Sequence, residues 1–345
     1  MTSIKRVDAL LKAKSVDRVP FFPIIQGFCA KNVGYPVSSI YNDPDRSFQA
    51  QLWTQQQYGY DSDPFFAYAS YRGWESGEDA KFEGNEWEQA PPHGKPPVQY
   101  EEDIENLCLP DVKTAGLFPQ AMRFSKLQKK FGMTATVVLG GAFTIAGNIC
   151  PLENLLHYMI RQPELMHRLL RLATNHIVDV VQHWVDTFGA ESVIVYMWET
   201  LANNRIISPR QFKDFVLPYQ REIHLFILAT GIKHILCHIC GDHNLNLPYW
   251  AQIPMGDPGI VSVGHEVDLD AAVKYFGTTS IVAGNIDPAI IQNGTPQQVY
   301  ELCKQTIKKG KHAPRGYIMM SGCEVPVATP PYNLYEMVKA IDDFG

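Results

Sequence analysis

The sequence predicts a single (β/α)8 barrel of the TIM type. Three observations predict it: a recurrent alternation of short β-branched apolar runs with longer amphipathic stretches, eight such runs in all, and near-continuous apolar character within each run. Runs of that kind are strands covered on both faces, as in a parallel sheet wrapped by helices. The runner-up, an open doubly wound sheet, has no glycine-rich dinucleotide fingerprint after its first strand to support it.

The predicted strands are VPFFPII (19–25), SDPFFAYAS (62–70), TATVVLGG (134–141), ESVIVYMWE (191–199), KHILCHIC (233–240), GIVSVGHE (259–266), SIVAGNID (280–287) and YIMMSGC (317–323). Between them, residues 162–188 carry Leu165, Met166, Leu169, Leu170, Ala173, Ile177, Val181, Trp184, Val185 and Phe188 at helical spacing, one wide apolar stripe. Residues 208–230 open on Ser208-Pro209, an N-cap followed by proline at the first helical position, and stop at Gly231. Residues 295–309 open on Thr295-Pro296 and end at Gly310, and a last helix starts near Pro331. Residues 71–110 lack a clear helix but hold many aromatics, glycines and prolines. They read as an irregular insertion after the second strand, at the barrel's C-terminal mouth. The whole of 1–345 reads as one domain with this insertion.

Composition excludes several classes. With 46% apolar and 19% charged residues the chain can bury a large core. A net charge of −6 leaves no basic footprint for nucleic acid. No apolar run approaches membrane-spanning length, and the N-terminal stretch lacks the apolar block of a secretory signal. Seven scattered cysteines do not make a disulfide framework. A cytoplasmic protein is expected.

The chemistry concentrates at the predicted strand ends, which in a barrel face the active-site mouth. In LCHICGDHN (236–244), strand alternation puts His238 and Cys240 on one face and Cys237 and Ile239 on the other. Imidazole and thiolate together suit zinc, and Cys323 ends another strand of the same mouth. Three protein ligands with one exchangeable position is the pattern of catalytic zinc; Glu199, at the end of the fourth run, supplies an oxygen for that position or leaves it open to substrate. The alternative is a core histidine bonded to backbone beside a buried cysteine. A redox C-x-x-C from Cys237 and Cys240 fits less well, since it lies within a strand. Asp242 and His243 either orient the ligands or cap the following turn.

Beyond these features, HICGDHN, GHEVDL, IVAGNIDPAIIQNGTPQQV, GYIMMSGCEVPVATPPYNLYEMVKA, SPRQFKDFVLPYQREI and the opening DRVPFFP together resemble the uroporphyrinogen decarboxylase superfamily. The resemblance implies a (β/α)8 barrel with its site at the C-terminal mouth. True decarboxylases of that family carry arginines just after the first strand and an aspartate ending the second; here those stretches read IIQGFCAKN and FFAYASY, with neither. The zinc-dependent corrinoid methyltransferases, of the methylcobamide:coenzyme M type, are the closer parallel: their H-x-C with a distant cysteine falls on His238, Cys240 and Cys323, the last within SGCEVP. Where those enzymes show an Asp-Pro near the fourth strand end, this chain has VYMWETLANNR with Glu199.

The aromatic insertion looks more like members that demethylate methoxylated aromatics. Tyr71, Trp74 and Trp87 either form a slot for an aromatic ring or pack the insertion onto the barrel, and Asn285, at the seventh strand end, is a further candidate for substrate contact. The resemblance thus implies zinc and a corrinoid (cobalamin) carried by a partner protein, since the chain has no D-x-H-x-x-G signature of its own. O-demethylation is the expected reaction, methyl transfer to a thiol the alternative, and decarboxylation a second one. A catalytically silent barrel is disfavoured by the intact ligand set. A homodimer is compatible with the sequence.

Overall fold

The structure, a computed structural model, describes residues 1–67, 76 and 94–345. Six strands form one parallel sheet in sequential order: β1 (Ala135–Gly140), β2 (Val193–Glu199), β3 (Ile235–Ile239), β4 (Gly259–Val263), β5 (Ser280–Ile286) and β6 (Tyr317–Ser321). They are the last six of the eight predicted runs, and helices lie in the intervals between them, which fits right-handed βαβ winding. The barrel prediction holds in class and in strand order.

The first two runs depart from it. Residues 19–25 form only an isolated parallel bridge, Phe21 to Met319 of β6, carried by Phe22 N–H on the Met319 carbonyl (2.9 Å) and Met319 N–H on Pro20 (2.9 Å). Pro20 and Pro23 have no N–H to donate, so a regular ladder cannot propagate. Of the second run, 62–67 form no strand, with Pro64 interrupting there too, and 68–70 lie outside the described residues. Asp61 N–H reaches the Phe21 carbonyl (2.7 Å), joining the two segments.

Closure onto β1 is made by a side chain. Gln128, fully buried, donates Nε2 to the Pro64 carbonyl (2.7 Å) and accepts the Thr136 N–H on Oε1 (2.9 Å). Gln51 likewise takes both Phe65 backbone groups, at 3.0 Å each, and Gln55 donates to the Ser62 carbonyl at 2.9 Å. Backbone groups that would be orphans in a broken ladder are thereby satisfied.

The helices follow their signals. Pro163–Phe188 buries Met166, Leu169, Leu170, Ala173, Ile177, Val181 and Trp184 as its stripe predicts and stops at Gly189, whose φ of +79° favours glycine. Ser208 accepts from Gln211 N–H, and Ser208 N–H in return donates to Gln211 Oε1 (2.9 Å), a capping box. That helix widens to a π-turn over Phe212–Val216 before resuming at Leu217–Ala229, because Pro218 cannot supply the next helical N–H. Pro296–Gly310 and Pro331–Phe344 start where expected. Within 71–110, the described part does contain a short helix, Glu101–Asn106, missed because its signal is three acidic residues in the first turn and no apolar stripe; Asp103 accepts the Gln99 and Tyr100 N–H groups at 2.8 Å each. No helix among the described residues is long and apolar enough to cross a membrane.

Candidate metal centre

His238 lies on β3 next to Ser262 of β4 and Trp198 of β2, its partners in register on either side. Alternation puts Tyr196 and Trp198 on the inner face with Leu236 and His238, and an inner cavity lined by Phe22, Ile24, Phe65, Tyr196, Trp198 and Leu236 confirms it. The buried His238 ring meets Ser262 Oγ through Nδ1 (2.9 Å). Its other nitrogen, Nε2, is buried with no partner among the described residues. Leaving such a nitrogen unmet costs about 1–3 kcal/mol, so a ligand there has a physical motive. The tautomer that donates Nδ1–H to Ser262 presents Nε2 as a lone pair.

Cys240 follows β3, and its N–H is fixed by the backbone carbonyl of Glu199 (3.1 Å). Cys323 follows β6, and the two sulfurs lie 3.6 Å apart. Ligand atoms of His238, Cys240 and Cys323 all fall within 4.8 Å of one another. A hydrogen bond from Cys240 and the neighbouring His238 hold the Cys323 thiol below the usual thiol range, and Cys240, the donor, is held above it. Two sulfurs at about 2.3 Å from one tetrahedral zinc would be about 3.8 Å apart. The residues fit zinc on three counts: donor types, sulfur spacing and the orphaned imidazole nitrogen.

Glycines bring backbone close around this cluster. A Cβ on Gly264 would meet Gly241 N at 2.7 Å, and one on Gly322 would meet His265 N at 2.6 Å. The loops after β3, β4 and β6 therefore pack tightly beside the sulfurs.

Other candidate residues stand as follows. Glu199 lies outside the cluster: one residue past Trp198, it points away from the barrel interior, into the layer between sheet and helices. Its fully buried carboxylate accepts the N–H groups of Thr144, Leu201 and Ala202 (3.2 Å each) and the Thr144 hydroxyl. Burial pushes its pKa up to about 7. The expectation of Glu199 as an oxygen ligand placed it by strand end and overlooked strand parity. Glu266, half-buried and paired with His265 (3.3 Å), is the carboxylate whose charge acts on Cys240.

Asn285 donates its amide to the Gly264 and Val267 carbonyls (3.0 and 2.8 Å) and so braces the loop after β4. Asp242 caps its own turn through Asn244 N–H (3.1 Å). His243 accepts from Trp250 Nε1 (3.1 Å), and burial pushes its pKa down to about 3. Tyr71, Trp74 and Trp87 lie outside the described residues.

Sequence reasoning missed two groups. Trp198 sits beside His238, and Phe65 packs edge-on against both Tyr196 (centroids 5.2 Å) and Trp198 (6.0 Å, 87°). The same alternation that paired His238 with Cys240 would have found Trp198.

The fold and this cluster define a (β/α)8 barrel with a His-Cys-Cys seat at its C-terminal mouth. The uroporphyrinogen decarboxylase (URO-D) family model matches residues 2–344, and the chain belongs to that family. It is 28% identical over 242 residues to a methylated-thiol–coenzyme M methyltransferase of Methanosarcina mazei, covering 68% of this chain and 61% of the relative. It is 26% identical over 234 residues to a methylcobamide:CoM methyltransferase of Methanosarcina acetivorans (66% and 64% covered), and 26% identical over 261 residues to a uroporphyrinogen decarboxylase of Crocosphaera subtropica (72% and 70%). The matched stretches thus span under two thirds of both methyltransferases. A solved methyltransferase from Methanosarcina mazei superimposes with a TM-score of 0.83 over 100% of this chain and 99% of its own, at 20% identity, and shares the fold.

Proposed function

We propose that the chain is a zinc-dependent methyltransferase that moves a methyl group between a small methylated compound at the His238–Cys240–Cys323 seat and the cobalt of a corrinoid on a partner protein. The observation that carries this reading is the cluster itself: three donors within 4.8 Å, one an imidazole nitrogen otherwise orphaned in the core. Family membership alone leaves methyl transfer and decarboxylation open, since relatives of both kinds match at similar identity. A decarboxylase has no use for a soft-ligand seat, which favours methyl transfer.

Zinc bound there supplies Lewis acidity to the heteroatom that carries or receives the methyl group, lowering the pKa of a thiol or easing the departure of a phenolate. The chain's own residues prepare that step. Ser262 fixes the His238 ring and the Glu199 carbonyl fixes Cys240, while the remaining position of the seat is left to the substrate heteroatom. Trp198, buried and in register with His238, gives the seat an apolar neighbour on its β2 side.

The named activities of the methyltransferase relatives support a thiol as the second substrate. The aromatic wall of Phe65, Tyr196 and Trp198 supports the second reading, O-demethylation of a methoxylated aromatic. The test is elemental analysis after dialysis and zinc addition, then corrinoid methylation followed by absorbance with coenzyme M and guaiacol. About one zinc per chain with transfer to or from either compound bears the reading out. No zinc under either condition overturns it.

A further inference from the structure

The three donors of the seat are held in different ways. His238 lies within β3, in register with β2 and β4, and Cys240 follows directly with its N–H on the Glu199 carbonyl. Cys323 has no such ladder: β6 ends at Ser321, and the chain over 322–330 is irregular. A metal seat needs its sulfur within about 0.2 Å of the right distance, so this loop has to be fixed by other means.

Two backbone contacts flank Cys323. Gly322 N–H donates to the Ile286 carbonyl of β5 (2.7 Å), and Val325 N–H to the Ile24 carbonyl (2.7 Å). Between them a side chain adds a third: Glu324 Oε1 accepts the Gly27 N–H (3.0 Å), across 297 residues of sequence. At the end of β6, Ser321 Oγ accepts the Ile24 N–H (3.2 Å), so 321–325 and 24–27 are laced together step by step.

The Gly27 N–H has its own need for an acceptor. It lies in the first turn of a short helix, Gln26–Asn32, where N–H groups have no partner within the helix. The N-cap residue is Ile25, whose side chain cannot accept a hydrogen bond. Glu324 does from a distance what a capping side chain does locally, and a carboxylate makes the stronger form of that bond. Of these three contacts around Cys323 it alone depends on residue identity, because the other two join backbone to backbone. We propose that Glu324 is a positioning residue for the metal seat: by holding Gly27 it fixes the loop after β6, so that the Cys323 sulfur stays beside Cys240 and His238. This rests on the metal reading of the cluster and not on methyl transfer.

The experiment is competition for zinc with a chromophoric chelator in wild type, Glu324→Ala and Glu324→Gln, with thermal melts of the zinc-free proteins beside it. Glu324→Ala is expected to bind zinc about 10–100-fold more weakly. Glu324→Gln keeps an oxygen that accepts the same N–H and should recover most of that loss. Absorption of the cobalt-loaded proteins reads the thiolates directly: the sulfur-to-metal band should weaken or shift in Glu324→Ala and return in Glu324→Gln. A role confined to stability would lower the melting temperature and leave that band unchanged. Should Glu324→Ala not fold, Glu324→Asp, one methylene too short to reach Gly27, carries the same expectation. Equal zinc affinity in wild type and Glu324→Ala overturns the assignment, as does a loss that Glu324→Gln fails to recover. No zinc in wild type overturns the metal reading and the assignment with it. Weakened zinc binding in Glu324→Ala without methyl transfer in wild type would instead sink the function and spare the positioning role.

Discussion

Trp198 stands directly beside His238 in the β2–β3 register, with its ring on the same inner face as the imidazole. The metal seat thus has an aromatic flank supplied by a strand that contributes no ligand. Trp198→Ala should retain zinc yet raise KM about tenfold, given about 0.5–1.5 kcal/mol for an aromatic contact. Steady-state kinetics beside elemental analysis measures both; zinc loss with unchanged KM would show the ring to be scaffolding.

Cys323 and Ser262 act on the seat at different levels. Cys323→Ala removes a ligand and should abolish metal retention through dialysis together with methyl transfer. Ser262→Ala removes only the hydrogen bond that orients His238, and a loss of about 10–100-fold in zinc affinity is expected. Competition with a chromophoric chelator reads both, and equal affinity in wild type and Ser262→Ala would refute the orienting role.

Glu199 makes stability depend on pH. Its folded pKa, about 7, is above the ordinary 4.5, so the folded state binds the proton more tightly than the unfolded one. Its contribution is fully present below about pH 4.5 and is lost as pH rises towards and through 7, a change on the order of 2–3 kcal/mol. Thermal melts of wild type against Glu199→Gln between pH 5 and 8 should differ in slope, with the variant flatter. Zinc content should not change in the variant, because the side chain faces away from the cluster.

Gly141 is fixed by that same carboxylate. A Cβ there would lie 2.2 Å from Glu199 Oε2 and 2.8 Å from Gln220 Oε1. Gly141→Ala should lower stability by about 1–3 kcal/mol through overpacking. Chemical denaturation measures it, and a wild-type midpoint would mean that the β2 terminus yields more easily than its four accepted hydrogen bonds suggest.

Much of this molecule was legible in its sequence. The last six strands announce themselves because both faces are covered, the helix from Pro163 by its apolar stripe, and the helices from Pro209 and Pro296 because cap and stop residues bracket them. His238, Cys240 and Cys323 could be grouped because alternation and strand ends are properties of the chain itself. What stayed hidden depends on partners distant in sequence. Nothing in 61–67 shows that Gln51, Gln55 and Gln128 will serve its backbone, so the run reads as a strand. Glu199 looked like a ligand because it ends a strand, although its neighbour Trp198 holds the inward position.

The side-chain closure at Gln128 has an evolutionary consequence. Of the three candidate ligands, His238 lies within β3, paired in register with β2 and β4, where a changed residue disturbs neighbours on both sides. Residues 61–67 are tied instead by three glutamines to backbone carbonyls and a single N–H, groups every amino acid possesses. Apart from Asp61, which Arg6 and Arg18 hold, their side chains can therefore diverge while the tether stays constant. A lineage of such barrels can change residues that line the inner cavity, Ser62 and Phe65 among them, without disturbing the tether or the His238–Cys240–Cys323 cluster.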